Sequence, residues 1–223
     1  MRYPITCANL FKPLVAKKTQ ELQHPTVFII DDDQSQREVL SRLLSSADYH
    51  VELFTSAREF LSRQRFDGCG CILLDIMMPD ISGQELQQEL ENLDNTLPII
   101  FVTGHQDIAT CVQVMKKGAL DFLTKPVERQ ALLSAVSSAI EKHVGKRRER
   151  VERTAARERL ATLTVRERDV MMLVIAGRLN KQIGAALGIS ESTVKIHRAH
   201  LMLKLRAKAV VELACLVQCS ETP

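Results

Sequence analysis

Residues 26–33 read Thr-Val-Phe-Ile-Ile-Asp-Asp-Asp, and this run sets the fold class of the first half of the chain. A short, continuous, β-branched apolar run that ends in acids is typical of a strand buried on both faces of a parallel sheet. Similar runs recur at residues 71–74 and 99–102, and residues 50–54 and 119–123 are shorter candidates. Segments with helical apolar spacing separate them. The alternation predicts an α/β domain with a five-stranded, doubly wound parallel sheet.

The net charge of +3 over 223 residues conceals two opposite charges. Residues 25–143 hold 10 basic and 18 acidic residues, whereas residues 144–223 hold 16 basic and 8 acidic ones. This split predicts two domains with different partners, and the basic one favours nucleic acid. No apolar stretch approaches the roughly 18 residues of a membrane helix, which argues against a spanning protein. Residues 1–24 lack the apolar core of a secretory signal, so we interpret them as an N-terminal extension and expect a cytoplasmic protein.

Polar residues follow the predicted strands, and parallel strands bring their carboxyl ends to one edge of a sheet. In chain order these residues are Asp31, Asp32, Asp33, Asp75, Thr103 and Lys125. Clustered carboxylates repel one another, and Mg²⁺, which prefers oxygen ligands, relieves that repulsion. A carboxylate beside Mg²⁺, a hydroxyl and an ammonium group can attack a phosphoryl donor. A single Asp after a strand is more often a helix N-cap, so the prediction of a functional cluster depends on the joint occurrence of these residues.

The spacing of this set is similar to that of a known domain. Asp31-Asp32, Asp75-Ile-Met-Met-Pro79-Asp-Ile-Ser-Gly83, Thr103-Gly-His-Gln-Asp107 and Lys125-Pro126 resemble the receiver domain of two-component response regulators. The resemblance covers about residues 25–142 and implies that the doubly wound sheet is flavodoxin-like. It implies that a sensor histidine kinase phosphorylates Asp75.

The same resemblance implies a role for each site residue. It assigns Mg²⁺ (or Mn²⁺) to Asp31, Asp32, Asp75 and the backbone carbonyl of Met77. Thr103 and Lys125 would bind the phosphoryl oxygens, and the Lys125–Pro126 bond would be cis. Phe122 would be the aromatic that turns inward when the threonine moves, and the alternative for Phe122 is a plain core aromatic.

The second half of the sequence begins with a charged segment. Charge pairs at helical spacing predict a solvated linker helix over residues 143–160. Residues 161–223 then predict a small all-α domain. In this domain Thr164 followed by Glu167 matches a capping box, and Gly177 suits the end of the first helix.

A helix over residues 180–187, a turn at residues 188–190 and a third helix capped by Ser190 match a helix-turn-helix unit. The third helix, which would enter the major groove, carries a stripe that we expect in the core at Val194, His197, Leu201 and Leu205. The candidate DNA contacts lie elsewhere. They are Asn180, Lys181 and Thr193 for phosphates, and Lys195, Ile196, Arg198 and Ala199 for the groove. A merely solvated basic face is the alternative, and the turn together with the positive charge favours DNA.

This half resembles the LuxR-type DNA-binding domain in four motifs, Leu163-Thr-Val-Arg-Glu167, Gly177-Arg-Leu-Asn-Lys-Gln-Ile183, Leu187-Gly-Ile-Ser190 and Thr193-Val-Lys-Ile-His-Arg198. Gly184 stands where the family usually has Ala, which predicts a helix weakened by about 1 kcal/mol. Both halves together resemble a NarL/FixJ-family response regulator. Family members dimerise through the last helix, so its apolar residues Val210, Leu213 and Leu216 are either interface or core.

The resemblance implies a phosphorylation-dependent transcription activator that forms a homodimer on phosphorylation. Its partners would be a sensor histidine kinase, double-stranded promoter DNA and RNA polymerase, and it would not be an enzyme apart from the receiver's own phosphorylation and dephosphorylation. Two alternatives stay open. Asp31-x-Asp33 resembles the haloacid-dehalogenase motif, which predicts a Mg-dependent phosphohydrolase with Asp31 as nucleophile. A degenerate receiver would instead leave DNA binding constitutive.

Overall fold

The structure is a computed structural model that describes residues 25–64, 66–93, 95–104, 112 and 114–221. The predicted extension at residues 1–24 lies outside this part of the chain. The described residues divide into two compact units between Arg147 and Arg148. No helix in the described part of the chain is both long and apolar enough to cross a membrane.

The first unit is built on a five-stranded parallel sheet. Its strands are β1 (Thr26–Ile30), β2 (His50–Phe54), β3 (Gly70–Asp75), β4 (Ile99–Thr103) and β5 (Asp121–Thr124). Their order is β2-β1-β3-β4-β5, and every pair is parallel. The predicted flavodoxin-like topology is therefore confirmed.

Strand β5 differs from the prediction by starting two residues later. The expected strand covered residues 119–123, whereas the ladder with β4 begins at Asp121. Gly118 adopts a left-handed φ of +88°, and Leu120 precedes the ladder, although its N–H donates to the Ile99 carbonyl at 2.8 Å. Ala119 is buried as a turn residue, so its apolar character could not mark the start of the strand.

The helices beside the sheet that are described from end to end are α1 (Gln34–Ser45), α2 (Ala57–Ser62), α3 (Gly83–Asn92) and α4 (Arg129–Ala161). Val27 and Ile29 of β1 pack in one core with α1 and α4. Phe28 and Ile30 pack in a second core with α2 and α3. Because successive side chains of a strand point to opposite faces and both faces of β1 are covered, the strand is apolar from Val27 to Ile30, and this explains its continuous run.

Helix α4 runs through the predicted domain boundary at residue 142 without a break. His143 is buried against the first unit, and the Arg147 guanidinium donates to Asp67 at 3.1 Å and to the Gly68 carbonyl at 2.9 Å. Ala156, near the end of the same helix, is fully buried in the core of the second unit. The predicted linker over residues 143–160 is thus helical, but it is packed at both ends where we expected a solvated helix.

The second unit contains α5 (Val165–Ile175), α6 (Asn180–Leu187), α7 (Glu191–Leu205) and α8 (Val210–Glu221). The predicted capping box is confirmed, since Thr164 accepts from the Glu167 amide and Glu167 accepts from the Thr164 amide. Gly177 has the left-handed φ of +76° that the predicted helix end requires. Ser190 caps α7 by accepting from the Thr193 amide at 3.1 Å.

The core of this second unit is formed by one face of each helix. Val194, Leu201 and Leu205 of α7 are fully buried, as predicted, whereas His197 is only half-buried. Leu213 and Leu216 of α8 are also fully buried within the chain. Of the two alternatives for these leucines, the structure therefore supports core.

His143 generates a prediction about acid stability. Its Nδ1 accepts from the Gly70 amide at 3.2 Å and its Nε2 lies 3.3 Å from the Thr96 hydroxyl, so the ring is held neutral. Burial, with Arg147 adding to it, lowers the pKa of His143 to about 4. The unfolded chain therefore binds more protons than the folded chain between pH 6.5 and 4. The free energy of unfolding has its full value above pH 7, and it falls by up to about 3 kcal/mol as the pH drops through this window.

Urea unfolding of the full chain at pH 7 and pH 5, followed by tyrosine fluorescence, measures this loss. We expect His143→Asn, which keeps an acceptor for Gly70 but does not titrate, to show a smaller drop between the two pH values. His50→Gln, at an exposed position, is the matched control. Equal pH dependence in His143→Asn and the wild type would contradict the assignment.

Candidate functional sites

The carboxyl ends of β1, β3 and β4 bring three predicted residues to one edge of the sheet. Asp31, Asp75 and Thr103 are all buried there, with 1%, 7% and 2% of their surface exposed. Asp32 beside them is exposed. Asp31, Asp32 and Asp75 each offer an oxygen within 4.8 Å of the others. Such a set of oxygen donors fits a hard divalent cation.

Lys125 joins this cluster from the end of β5. Its Nζ donates to Asp31 Oδ2 and to Asp75 Oδ2, both at 2.7 Å. The backbone holds the lysine in place, because the Lys125 N–H donates to the Thr103 carbonyl at 2.8 Å. The Lys125–Pro126 peptide is cis, as expected. The structure thus places Asp31, Asp32, Asp75 and Lys125 in one cluster, as predicted.

One ammonium group serves two buried carboxylates. Burial raises the pKa of Asp31 above its usual value, although Lys125 and the Asp33 amide favour the carboxylate form. Burial lowers the pKa of Lys125, but the hydrogen bonds to Asp31 and Asp75 outweigh this and leave its pKa raised. Lysine is therefore charged, and the acids exceed it in number. The site retains a negative excess that a cation can neutralise.

The second candidate site is the helix-turn-helix surface of α6 and α7. Lys195, Ile196 and Ala199 are exposed on α7, and Lys195 forms a surface ion pair with Glu191 at 3.4 Å. Lys181 is exposed at the start of α6. A surface ion pair of this kind contributes little, so Lys195 can exchange Glu191 for another anion.

The other predicted DNA contacts are already engaged within the domain. Asn180, Thr193 and Arg198 are half-buried. The Thr193 hydroxyl lies 2.8 Å from that of Ser190, and the Arg198 guanidinium donates to Asn180 Oδ1 at 2.8 Å. The predicted contacts therefore fall into an exposed set and an internally bonded set.

Comparison with known proteins assigns both units. The family described as response regulator receiver domain matches residues 27–137, and the family of bacterial regulatory proteins, luxR family, matches residues 161–217. The chain belongs to the NarL/FixJ family of two-component response regulators. Its relatives are transcriptional regulators of two-component systems, and this chain combines a receiver with a LuxR-type DNA-binding domain.

Individual relatives cover most of the chain. Nodulation protein W of Bradyrhizobium diazoefficiens is 45% identical over 198 residues, which cover 88% of this chain and 85% of that protein. FixJ of Rhizobium meliloti is 38% identical over 188 residues, which cover 84% of this chain and 92% of that protein. Among solved structures, the response regulator StyR matches with a TM-score of 0.81 and 44% identity, over 87% of this chain and 98% of that one.

In this response regulator two further residues shape the receiver site. A side chain at Gly83 would collide with the Asp75 carbonyl oxygen, so glycine is required where α3 approaches β3. The Met77 amide donates to Asp75 Oδ1 at 3.2 Å, which orients that carboxylate, while the Met77 side chain is 63% exposed. Thus the Asp75-to-Gly83 motif positions the acid through its backbone.

Two predicted residues stand apart from the acid cluster. Asp33 is the N-cap residue of α1, because its side chain accepts from the Ser35 and Gln36 amides. Phe122 is 40% exposed on β5, which corrects the alternative that it is a core aromatic. Its outward position leaves a switching role open.

Two interactions of these sites were missed from the sequence. Arg37 in α1 donates to the Asp31 carbonyl at 2.6 Å, and no spacing rule links these two residues. Lys204 donates to the buried carboxylate of Glu167 at 2.7 Å. That hydrogen bond is the main cause, and the hydrogen bond from the Thr164 amide the second, of a pKa of Glu167 that is lowered to about 2. The capping box had explained Glu167 completely, so nothing indicated a second partner on α7.

Removal of the Lys125 ammonium should destabilise the receiver. Lys125→Met leaves the Asp31 and Asp75 carboxylates buried and without their cation, which costs about 3 kcal/mol in a pair of this kind. We expect the loss to shrink as the pH falls from 7 to 5, because a carboxylate whose pKa is raised in the folded state stabilises that state on protonation. Urea unfolding at the two pH values measures both effects.

Lys116→Met, which removes an exposed lysine of the same domain, is the matched control. Adding Asp31→Asn to Lys125→Met should recover part of the lost stability. A loss below about 0.5 kcal/mol in Lys125→Met would contradict the buried pairing.

Proposed function

We propose that this response regulator is a transcription activator that binds DNA when a sensor histidine kinase phosphorylates Asp75. The observation that carries the proposal is Lys125, whose ammonium contacts Asp31 and Asp75 at 2.7 Å on the edge where Thr103 ends β4. In phosphoryl transfer a carboxylate oxygen of Asp75 attacks phosphorus and the bond from phosphorus to the donor breaks. Lys125 and the Thr103 hydroxyl then bind the phosphoryl oxygens.

Magnesium fits this site through its donor chemistry. Three carboxylates, two of which share the Lys125 ammonium, provide the hard oxygen ligands and the negative excess that suit Mg²⁺ (or Mn²⁺). Asp31, Asp32 and Asp75 would hold it together with the Met77 carbonyl. When bound, the ion neutralises charge on the phosphoryl oxygens. The same residues would let the receiver catalyse its own phosphorylation and dephosphorylation.

Phosphorylation is proposed to act on Thr103 and Phe122. The acyl phosphate adds charge and acceptor oxygens to the site, and it draws the Thr103 hydroxyl towards them. Thr103 lies on β4 next to β5, where Phe101 pairs with Phe122. Phe122 is exposed in this structure and would turn inward to fill the space that Thr103 leaves.

DNA binding is proposed for the surface of α6 and α7. Lys195, Ile196 and Ala199 are exposed and would face base edges, whereas Asn180, Lys181 and Thr193 would contact phosphates. A homodimer formed on phosphorylation would read paired half-sites and contact RNA polymerase at the promoter. These partners place the proposed activity in the cytoplasm.

The domain limits are proposed from the packing of α4. The receiver would comprise residues 25–147, because Arg147 still bonds to Asp67 and Gly68. The remainder of α4 would be the linker, and its Ala156 contributes to the core of the DNA-binding domain at residues 161–221.

Phosphoryl labelling tests this function. With radiolabelled acetyl phosphate, or with a histidine kinase that carries the radiolabelled phosphoryl group, we expect label on Asp75 and its complete loss in Asp75→Asn. We also expect only the phosphorylated protein to retain genomic DNA fragments. Asp33→Asn is the control, because asparagine preserves the α1 cap but removes the second acid of the phosphohydrolase motif. Label on Asp31 would support the phosphohydrolase. DNA binding that is unchanged in Asp75→Asn would support the constitutive regulator.

Magnesium binding should raise the thermal stability of the receiver. A ligand at 100 times its dissociation constant stabilises the folded state by about 2.7 kcal/mol. We expect MgCl₂ to raise the midpoint of thermal unfolding. Asp32→Asn should abolish this shift and leave the rest of the site intact, because Asp32 is exposed. Glu89→Gln, also exposed, is the control. An equal shift in Asp32→Asn, at matched ionic strength, would show that magnesium binds elsewhere.

A further inference from the structure

Arg198 differs from the other residues that α7 offers to the DNA groove. Lys195, Ile196 and Ala199 are exposed, whereas Arg198 is half-buried. It lies one helical turn after Val194, which is fully buried. Its stem therefore follows the side of α7 that packs inside the domain, and its guanidinium reaches Asn180 Oδ1 at 2.8 Å.

The bond to Asn180 connects the two helices of the helix-turn-helix unit. Asn180 is the first residue of α6 and Arg198 lies in the middle of α7. A guanidinium only donates hydrogen bonds, so the amide oxygen of Asn180 must face Arg198 and its NH₂ group must face away. The bond thus fixes the rotamer of Asn180 as well as the approach of α6 to α7.

The bond to Asn180 also restricts the direction in which the Arg198 guanidinium can point. An arginine that reads guanine must direct two N–H groups at O6 and N7 together, whereas Arg198 is half-buried and its guanidinium is turned towards Asn180 on α6. Charge-assisted bonds of this kind are among the stronger ones in proteins. Lys195, Ile196 and Ala199 are exposed on α7, so they would face a groove without leaving the interior of the domain.

We propose that Arg198 is a positioning residue that holds the Asn180 amide and the spacing of α6 and α7 for DNA binding, and does not itself read a base. This role rests on the proposed DNA-binding function. Asn180 would donate its NH₂ group to a phosphate, and the contact would depend on Arg198. Both residues then act on DNA as one unit.

A double-mutant cycle tests the role on the full chain treated with acetyl phosphate. The probe is a duplex enriched from a random-sequence library by the wild-type protein. We expect Asn180→Ala and Arg198→Ala each to weaken binding by about tenfold, and the double variant to weaken it by little more than either single one. Additive losses, near a hundredfold in the double variant, would overturn the proposal.

Two further readouts separate positioning from direct contact. The slope of log affinity against log salt concentration should stay near the wild-type value in Arg198→Ala. Loss of a phosphate contact in Lys181→Ala should instead reduce the magnitude of this negative slope by about 0.9. The base preferences of Arg198→Ala should also match the wild type. A relaxed preference at one base pair, or a lowered slope, would overturn the proposal.

Folding and the underlying function are controlled in the same series. If Arg198→Ala lowers the thermal midpoint, Arg198→Gln replaces it, because glutamine keeps an N–H donor without the charge, and we expect it to retain part of the lost affinity. Affinity as low as that of Arg198→Ala would count against positioning. If Lys181→Ala and Lys195→Ala both bind as the wild type does, the proposed DNA surface itself is wrong. If they weaken binding and the cycle is additive, only the role of Arg198 is wrong.

Discussion

The ammonium of Lys125, held between two buried carboxylates, is the interaction on which the receiver depends. Asp31 and Asp75 lie on neighbouring strands with their side chains almost wholly buried, and charges so placed are costly without a partner. Lys125 can reach both only because β5 ends on the same edge of the sheet. The parallel topology, the contact with the Thr103 carbonyl and the glycine at position 83 all serve that meeting of charges.

Two carboxylates and one ammonium do not balance, and this imbalance gives the site its chemistry. A fully neutralised cluster would have no affinity for a cation, and an acid that was fully paired would be a poor nucleophile. Here the raised pKa of Asp31 reports the deficit that burial leaves. The proposed DNA-binding surface follows the opposite rule, because Lys181 and Lys195 are exposed and the partner of Lys195 is a surface acid, so phosphate would replace that partner at little cost.

Much of the fold was predictable because its determinants are local or periodic. The continuous apolar run of β1 indicated burial on both faces, and Thr164 with Glu167 indicated the start of α5. The acid cluster was predictable from the polar residues that follow the strands, since parallel strands all end at the same edge of the sheet. The start of β5 was not, because Ala119 is buried in a turn and burial in a turn resembles burial in a strand. The packed linker was missed because Ala155 and Ala156 carry too little apolar surface to stand out among charged neighbours.

Contacts between distant residues were the hardest to predict, and Gly184 shows why. Helix propensity alone assigns glycine a cost of about 1 kcal/mol relative to alanine. In the structure, a Cβ at this position would lie 2.7 Å from the Ile189 carbonyl oxygen of the turn, so alanine would force that turn outward. The turn leads directly into α7, and a displaced α7 would carry Arg198 away from Asn180. The weaker helix is therefore linked to a closer approach of α6 and α7, a trade that the sequence of either helix alone does not reveal.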